Sequence, residues 1–365
     1  MIRIKPFDTL FFRDGRPFTG GEETWAYNLF PPLPSTVYGA LRTAYIAGHG
    51  GLAAFKRGEM SSAIGTAESP GAFALKGVYI ARNNDLLLPA PLDTVIHKTD
   101  GNERLRTLRL EPAGGTATDN LPLSHRLAVP GLENVSVPDG IYIDEITCTD
   151  YLLGRAGPFS FTRQDELVLR ENKIGIARSR QTHAAAEGML YQAGMVRLNK
   201  DIALAADCHG LEDYPAHGMM RLGGEAKAAS FETAADLHLP SIPAGNMAEL
   251  MKSDDTFKLY LATPAIFTQG WLPEGIDEKT RLWDTGGMTL RLLTAAIGSP
   301  INVGGWDLDK RRPKPMRRAV PAGSVYYFKI EQGNIAAAIE RFHGRNISDV
   351  NPEQGFGLCY MGAVR

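Results

Sequence analysis

The strongest chemical signal in the chain is Lys310–Arg318, KRRPKPMRR, in which six of nine side chains are basic and two prolines bar a helix. It lies between two segments expected as strands, Ile301–Trp306 and Ser324–Ile330, and so reads as a connecting loop. A restrained basic loop supplies phosphate contacts, which position a nucleic acid without reading its bases. An acidic protein partner and a plain solvated loop fit the same run. A second signal is Phe30–Arg42, FPPLPSTVYGALR, where a proline-rich turn brings Ser35 and Thr36 to a helix start. Free amides at a helix start favour an anion, and the two hydroxyls and Arg42 add donors. Ordinary N-capping by Ser35 is the competing reading. A third is a set of glycine turns, Leu222-Gly223-Gly224-Glu225, Val303-Gly304-Gly305-Trp306 and Gly355-Phe356-Gly357. Glycine lets a backbone approach a ligand closely or take positive φ. None of these turns is a dinucleotide-binding or phosphate-loop motif.

Catalytic constellations are poor. Cys208-His209 with His217 fits no zinc spacing, and no carboxylate cluster would hold paired magnesium ions, so neither a metal nor a cofactor is expected. His49, just past the first expected helix, is the one candidate general base. A helix-end histidine with no chemical role is the alternative.

The elements that must position these residues are clearest in the C-terminal third. Phe257–Ala262 alternates like a half-buried strand, and Met288–Ile297 reads as a helix stopped by Gly298. Tyr326, Tyr327 and Phe328 lie on the strand Ser324–Ile330 and offer either a stacking face or core. Asn334 caps a helix over Ile335–His343, and Phe356–Met361 closes the chain as a strand. The order βαββαβ fits an antiparallel sheet with two helices on one face, the ferredoxin-like motif. The N-terminal half begins similarly, with a strand at Ile2–Pro6, a loop containing Arg13, and a helix over Thr36–Ala47 capped by Ser35. Ala74–Ala81 and Leu86–Leu88 read as a hairpin, residues 90–165 as loop, and Leu167–Ala205 as a second hairpin carrying Arg178 and Arg180. The expected fold class is therefore α+β, with two ferredoxin-like (RRM-like) domains and large insertions in the first. A linker at Leu239–Gly245 divides them into 1–245 and 246–365.

Composition bounds the function. The 365 residues carry a formal net charge of −2, with 44% hydrophobic and 22% charged residues. That is ordinary globular composition and excludes a uniformly basic coat. The average hides a contrast, since residues 301–330 carry a net +5 and the remainder −7. Three widely spaced cysteines give no disulfide framework, and no apolar run is long enough to span a membrane. Arg3, Lys5 and Asp8 interrupt the first residues, which are not expected to be a signal peptide, so a cytoplasmic location is expected.

Several segments together resemble a known family. They are FDTLFFRDGRPF (7–18), FPPLPSTVYGALRTA (30–44), IGIAR (174–178) with EGMLY (187–191), and RLGGE (221–225). To these add NVGGWDL (302–308), the basic run through YYF (310–328), and GFGLCYMG (355–362). The chain is similar to the third subunit of the type III-B CRISPR effector, the Cmr complex, a member of the RAMP superfamily. The resemblance implies two ferredoxin-like domains and a non-catalytic role in antiviral defence. Such a subunit helps hold the 5′ repeat-derived handle of the CRISPR RNA and docks to the large polymerase-like subunit and the first backbone subunit. Carried onto this sequence, the RNA-binding candidates in the N-terminal half are Arg13, Ser35, Thr36, Arg42, Arg178, Arg180, Gly223, Gly224 and Lys227. Those in the C-terminal part are Arg311, Arg312, Lys314, Arg317, Gly355 and Gly357. The basic run faces either the RNA or the large subunit. The alternative function, known within the superfamily, is metal-independent cleavage of CRISPR repeat RNA, with His49 as base.

Overall fold

The structure, a computed structural model, describes the chain apart from residues 14–24, 27, 67–68, 100, 115–122, 130, 179–180, 183, 212, 241, 243–246, 248, 250, 252–254, 308–309 and 365. The elements used below begin with β1 (Ile2–Pro6), α1 (Pro34–Gly48), β2 (Ala74–Arg82), β3 (Asp85–Pro89), β4 (Ile141–Asp144) and α2 (Glu145–Leu152). Next come β5 (Val168–Arg178), β6 (Ala185–Leu198), β7 (Ile202–His209), β8 (His217–Arg221) and β9 (Ala228–Thr233). The last are β10 (Thr256–Leu261), β11 (Thr289–Ala296), β12 (Val325–Gln332), α3 (Ile335–Phe342) and β13 (Leu358–Ala363).

Two compact units interleave along the chain. The first comprises Met1–Asn84, Asp165–Asp236 and Asn302–Arg318; the second comprises Asp85–Gln164, Leu237–Ile301 and Ala319–Arg365. This differs from the expected division at 245, because 85–164 and 302–318 each pack with the other half of the sequence. Most of the expected linker at 239–245 lies outside the described residues.

In the first unit five antiparallel strands run in the order β2-β7-β1-β9-β8. Alternation in β1 buries Ile2 and Ile4 and turns Arg3 and Lys5 to the other side. The helix α1 packs on β2 and β8 through Val37, Tyr38, Leu41 and Tyr45, and Tyr38 stacks on Phe73 with ring centroids 4.9 Å apart. Its start corrects the sequence reading: Leu33, not Ser35, occupies the N-cap position, and no side chain caps it. Pro34 opens the helix with its φ already set and no N–H to satisfy, and the Thr36 amide donates to the Leu33 carbonyl at 2.9 Å. Strands β5 and β6 form the expected long hairpin.

In the second unit the strands run β11-β12-β10-β13, again antiparallel, with Leu282–Asp284 and Arg345–Asn346 at the edges. Asn334 caps α3 as expected, accepting from the Ala337 amide at 2.9 Å. Two expectations fail here. The run at 288–297 is the strand β11 rather than a helix, because an apolar run this short satisfies either period and pairing with β12 decides. And β10 is buried on both faces, not one. Phe257 meets Phe342 of α3 on one side, while Lys258 meets Tyr151 of α2 on the other. The helix α2 comes from the stretch expected as loop, and Asp144 caps it by accepting from the Thr147 amide at 2.7 Å. Gly362 of β13 lets α2 sit close, since a Cβ there would lie 3.2 Å from the Leu152 backbone. Residues 90–165 also hold strands at Thr94–Thr99, Asn102–Thr107, Arg109–Pro112 and His125–Ala128. None of the described helices is long and apolar enough to cross a membrane.

Candidate nucleic-acid interface

The basic run is a β-ribbon rather than a loop. Trp306–Asp307 pairs with Arg312–Pro313, Ile301–Val303 pairs with Arg317–Ala319, and the Lys314 amide donates to the Gly305 carbonyl at 2.9 Å. Its strands are too short to leave a period in the sequence, and Pro313 is tolerated because the ribbon has free edges. Every side chain from Lys310 to Arg318 is exposed, as are Trp306 at 56% and Met316 at 46%. Arg311, Arg312, Lys314, Arg317 and Arg318 make no ion pair with a described residue. These five cations thus present a dense positive field beside the exposed Trp306 indole. That combination suits a chain of phosphates with a base to stack.

The cations of the glycine-turn region are placed differently. Lys227 donates to Asp8 at 2.9 Å and to the Thr9 hydroxyl at 3.1 Å. Arg197 bonds Asp8 at 3.0 Å and also Glu171, and Lys173 pairs with Glu225 at 2.7 Å. The Lys227 ammonium, the Thr9 amide and the Arg197 guanidinium hold the Asp8 carboxyl down at about 2. Gly223, with φ +79°, brings this turn against the Phe11 carbonyl, where a Cβ would lie 2.6 Å away. The Gly224 amide donates to that same carbonyl at 2.8 Å. So Gly223, Gly224 and Lys227 fasten the 7–12 segment, with one side of the cluster open to solvent.

The other expected residues are scattered. Arg13 is exposed and bridges the backbone of Asn28. Ser35 and Thr36 are half-buried in the first turn of α1, and Arg42 donates to the carbonyls of Ile64 and Thr66 at 2.9 and 2.8 Å. Arg178 ends β5, whereas Arg180 lies outside the described residues. Gly355 and Gly357 form a buried turn in the second unit, far from solvent. The Gly357 amide donates to Pro264 at 2.7 Å, and a Cβ would lie 2.4 Å from the Ser348 nitrogen. Tyr326, Tyr327 and Phe328 are core, not a stacking face.

Sequence reasoning missed two polar clusters. Asp93, fully buried, accepts from Tyr151 at 2.7 and 2.8 Å and from Tyr327 at 2.5 Å. Lys258, 2% exposed, sits 3.7 Å from Asp93 and 3.5 Å from the centre of the Tyr151 ring. Burial pushes the Lys258 ammonium down and the Tyr151 phenol well up. The second cluster holds His49: Nδ1 lies 2.8 Å from the Tyr45 carbonyl and Nε2 lies 3.1 Å from Asp213. Tyr45 also donates to Asp213 at 3.0 Å and lies flat on the imidazole, with centroids 3.9 Å apart. Both ring nitrogens are therefore engaged within the fold.

Comparison with known proteins identifies the family. The model of the CRISPR-associated protein family Cas_Cmr3 matches residues 2–364. A chain of the type III-B Cmr-beta complex bound to cognate target RNA and AMPPnP is similar with TM-score 0.51 and 15% identity, covering 93% of this chain and 87% of its own. A chain of the same complex bound to cognate target RNA alone gives TM-score 0.51 and 16% identity, covering 89% and 86%. No curated protein matches. With the family model spanning nearly the whole sequence, the chain belongs to the Cas_Cmr3 family of CRISPR-associated proteins and is a Cmr subunit of the type III-B system.

Proposed function

We propose that this chain is a non-catalytic subunit that helps hold the 5′ repeat-derived handle of the CRISPR RNA and docks to the large polymerase-like subunit and the first backbone subunit. The observation that carries the RNA half is the ribbon at 302–318, where Arg311, Arg312, Lys314, Arg317 and Arg318 are exposed beside Trp306 and make no ion pair with a described residue. Both units read as ferredoxin-like modules. With the edge strand β8 set aside in the first unit and the short edge strands 282–284 and 345–346 set aside in the second, the remaining four strands of each lie in the order second, third, first, fourth. In-complex crosslinking tests the proposal: photoactivated handle nucleotides should attach within 302–318. Attachment of the large subunit there instead would reassign the ribbon to protein docking.

Against cleavage of repeat RNA stands the geometry of His49, since a general base needs a free ring nitrogen facing the ribose hydroxyl. Metal-free incubation of the purified chain with repeat RNA should leave the RNA intact. Cleavage that disappears in His49→Ala would establish the enzyme reading.

A further inference from the structure

In the second unit the segment between β10 and β11 stands where a crossover helix would otherwise pack. It covers β12 with two indoles: Trp271 stacks on Tyr326, and Trp283 packs tilted against Phe328. Arg281 lies in this cover with 8% of its surface exposed and its guanidinium carbon 5.9 Å from the centre of the Trp271 ring. A buried guanidinium normally has a carboxylate or several carbonyls around it. This one has none: Nε is sealed from solvent without an acceptor, and no described residue forms an ion pair or side-chain hydrogen bond with it.

Carboxylates of this segment and of the strands and loops it meets have partners of their own. Asp277 accepts from the Lys279 and Thr280 amides at 3.0 and 2.7 Å, and Asp284 accepts from Gly286 at 2.9 Å. Asp349 takes the Thr268 amide at 2.8 Å, and Glu331 takes Arg291 at 2.6 Å. Glu274 and Glu278 are exposed on the same segment and make no ion pair with Arg281. The residue also holds a left-handed backbone, φ +60°, which a bulky side chain seldom adopts. Its amide donates to Asp277 and its carbonyl accepts from Leu292, at 2.8 and 2.9 Å, so the position is locked at both ends. Trp271 is locked as well, its carbonyl accepting from the Tyr326 hydroxyl at 2.6 Å.

We propose that Arg281, held against Trp271, is a binding residue for a phosphate group of the RNA chain, an inference that rests on the RNA-holding reading above. The planar fork matches two phosphate oxygens, and the indole keeps it in place while no anion is bound. A preorganised cation without an internal partner weakens the free fold and gains when an oxyanion arrives.

The test uses the full-length chain, an eight-nucleotide single-stranded RNA of the repeat-derived handle, and the variants Arg281→Met and Arg281→Lys. Without RNA, Arg281→Met should melt at the same temperature as the native chain or higher, because it removes an unpartnered charge and keeps the length of the side chain. Its RNA affinity should fall at least fivefold, and the slope of log affinity against log salt should shrink by about 0.7, one phosphate contact. Arg281→Lys should keep the slope and lose only part of the affinity. A lower melting temperature for Arg281→Met makes the residue structural and overturns the proposal, as does an unchanged affinity and slope. If Arg281→Met binds like the native chain while alanine at Arg311, Arg312, Lys314 and Arg317 abolishes binding, this site alone fails. If the native chain binds no RNA, the reading of the whole subunit fails with it.

Discussion

Without their edge strands the two sheets run alike, β2-β7-β1-β9 and β11-β12-β10-β13, but the elements joining those strands differ. In the first, α1 lies between β1 and β2 in the chain, and the edge strand β8 lies between β7 and β9. In the second, the indole-bearing segment joins β10 to β11, and α3 lies between β12 and β13. That unit then gains α2 on its opposite face, from a stretch of 80 residues inserted between parts of the first unit. The consequence is visible in the charges. In the first unit the cluster of Asp8, Lys227, Arg197 and Glu171 lies at the surface. In the second, α2 closes over Lys258 and Asp93 and forces them into a dry pair. The difference teaches that the same sheet order leaves polar groups available in one unit and internalises them in the other.

The largest effect should come from breaking the internal pair. Asp93→Ala strands two buried phenols and an ammonium together, and should cost about 3–5 kcal/mol in denaturant unfolding. Adding Lys258→Met to Asp93→Asn should recover part of that loss, since no buried charge then remains. A cost for Asp93→Ala no larger than for a surface aspartate would dissolve the contrast between the units.

A smaller effect separates the two helices. Asn334→Ala removes the side-chain cap of α3 and should cost about 1 kcal/mol. Ser35→Ala in α1 should cost less than about 0.5 kcal/mol, because Pro34 and Leu33 already set that start. Equal losses for the two substitutions would show that Ser35 caps after all.

These helices also mark how far the sequence could be read. Asn334 announced α3 because the cap and the apolar face of Ala338, Ile339 and Phe342 are local signals. Ile2–Pro6 and the hairpin β5–β6 were legible for the same reason, whereas the three aromatics of β12 left core and stacking face both open. The strand β11 was not, as its partner β12 is distant in sequence and pairing outweighs a helix-like apolar run. Nor was α2, though Asp144 and Thr147 stand in capping register, because the prolines around it read as loop. Of the site, the basic run was plain in the sequence, but its ribbon geometry was not. Asp93 left no signal at all, since its partners Tyr151 and Tyr327 lie 58 and 234 residues away. Lys227 stood out as an RNA-binding candidate, but its bonds to Asp8 and Thr9 across more than 200 residues left no local signal.

The smallest effect is expected at that exposed cluster. Asp8 titrates at about 2 in the fold against an ordinary 3.8, so its stabilising contribution is complete above pH 3.8 and is lost as pH falls towards 2. Asp8→Asn should remove that part of the acid-unfolding curve and leave stability above it nearly flat with pH. A carboxyl titration that places Asp8 at its ordinary value would show that Lys227 and Arg197 are free for another partner.

The central claim is that Arg311, Arg312, Lys314 and Arg317 of the ribbon meet phosphates. The most direct measurement is the salt dependence of RNA-handle binding for the native chain and for the variant with alanine at Arg311, Arg312, Lys314 and Arg317. At about 0.7 per phosphate contact, the slope of log affinity against log salt should flatten by roughly 3 in the variant. An unchanged slope would contradict the account and leave the ribbon to an acidic face of a neighbouring protein.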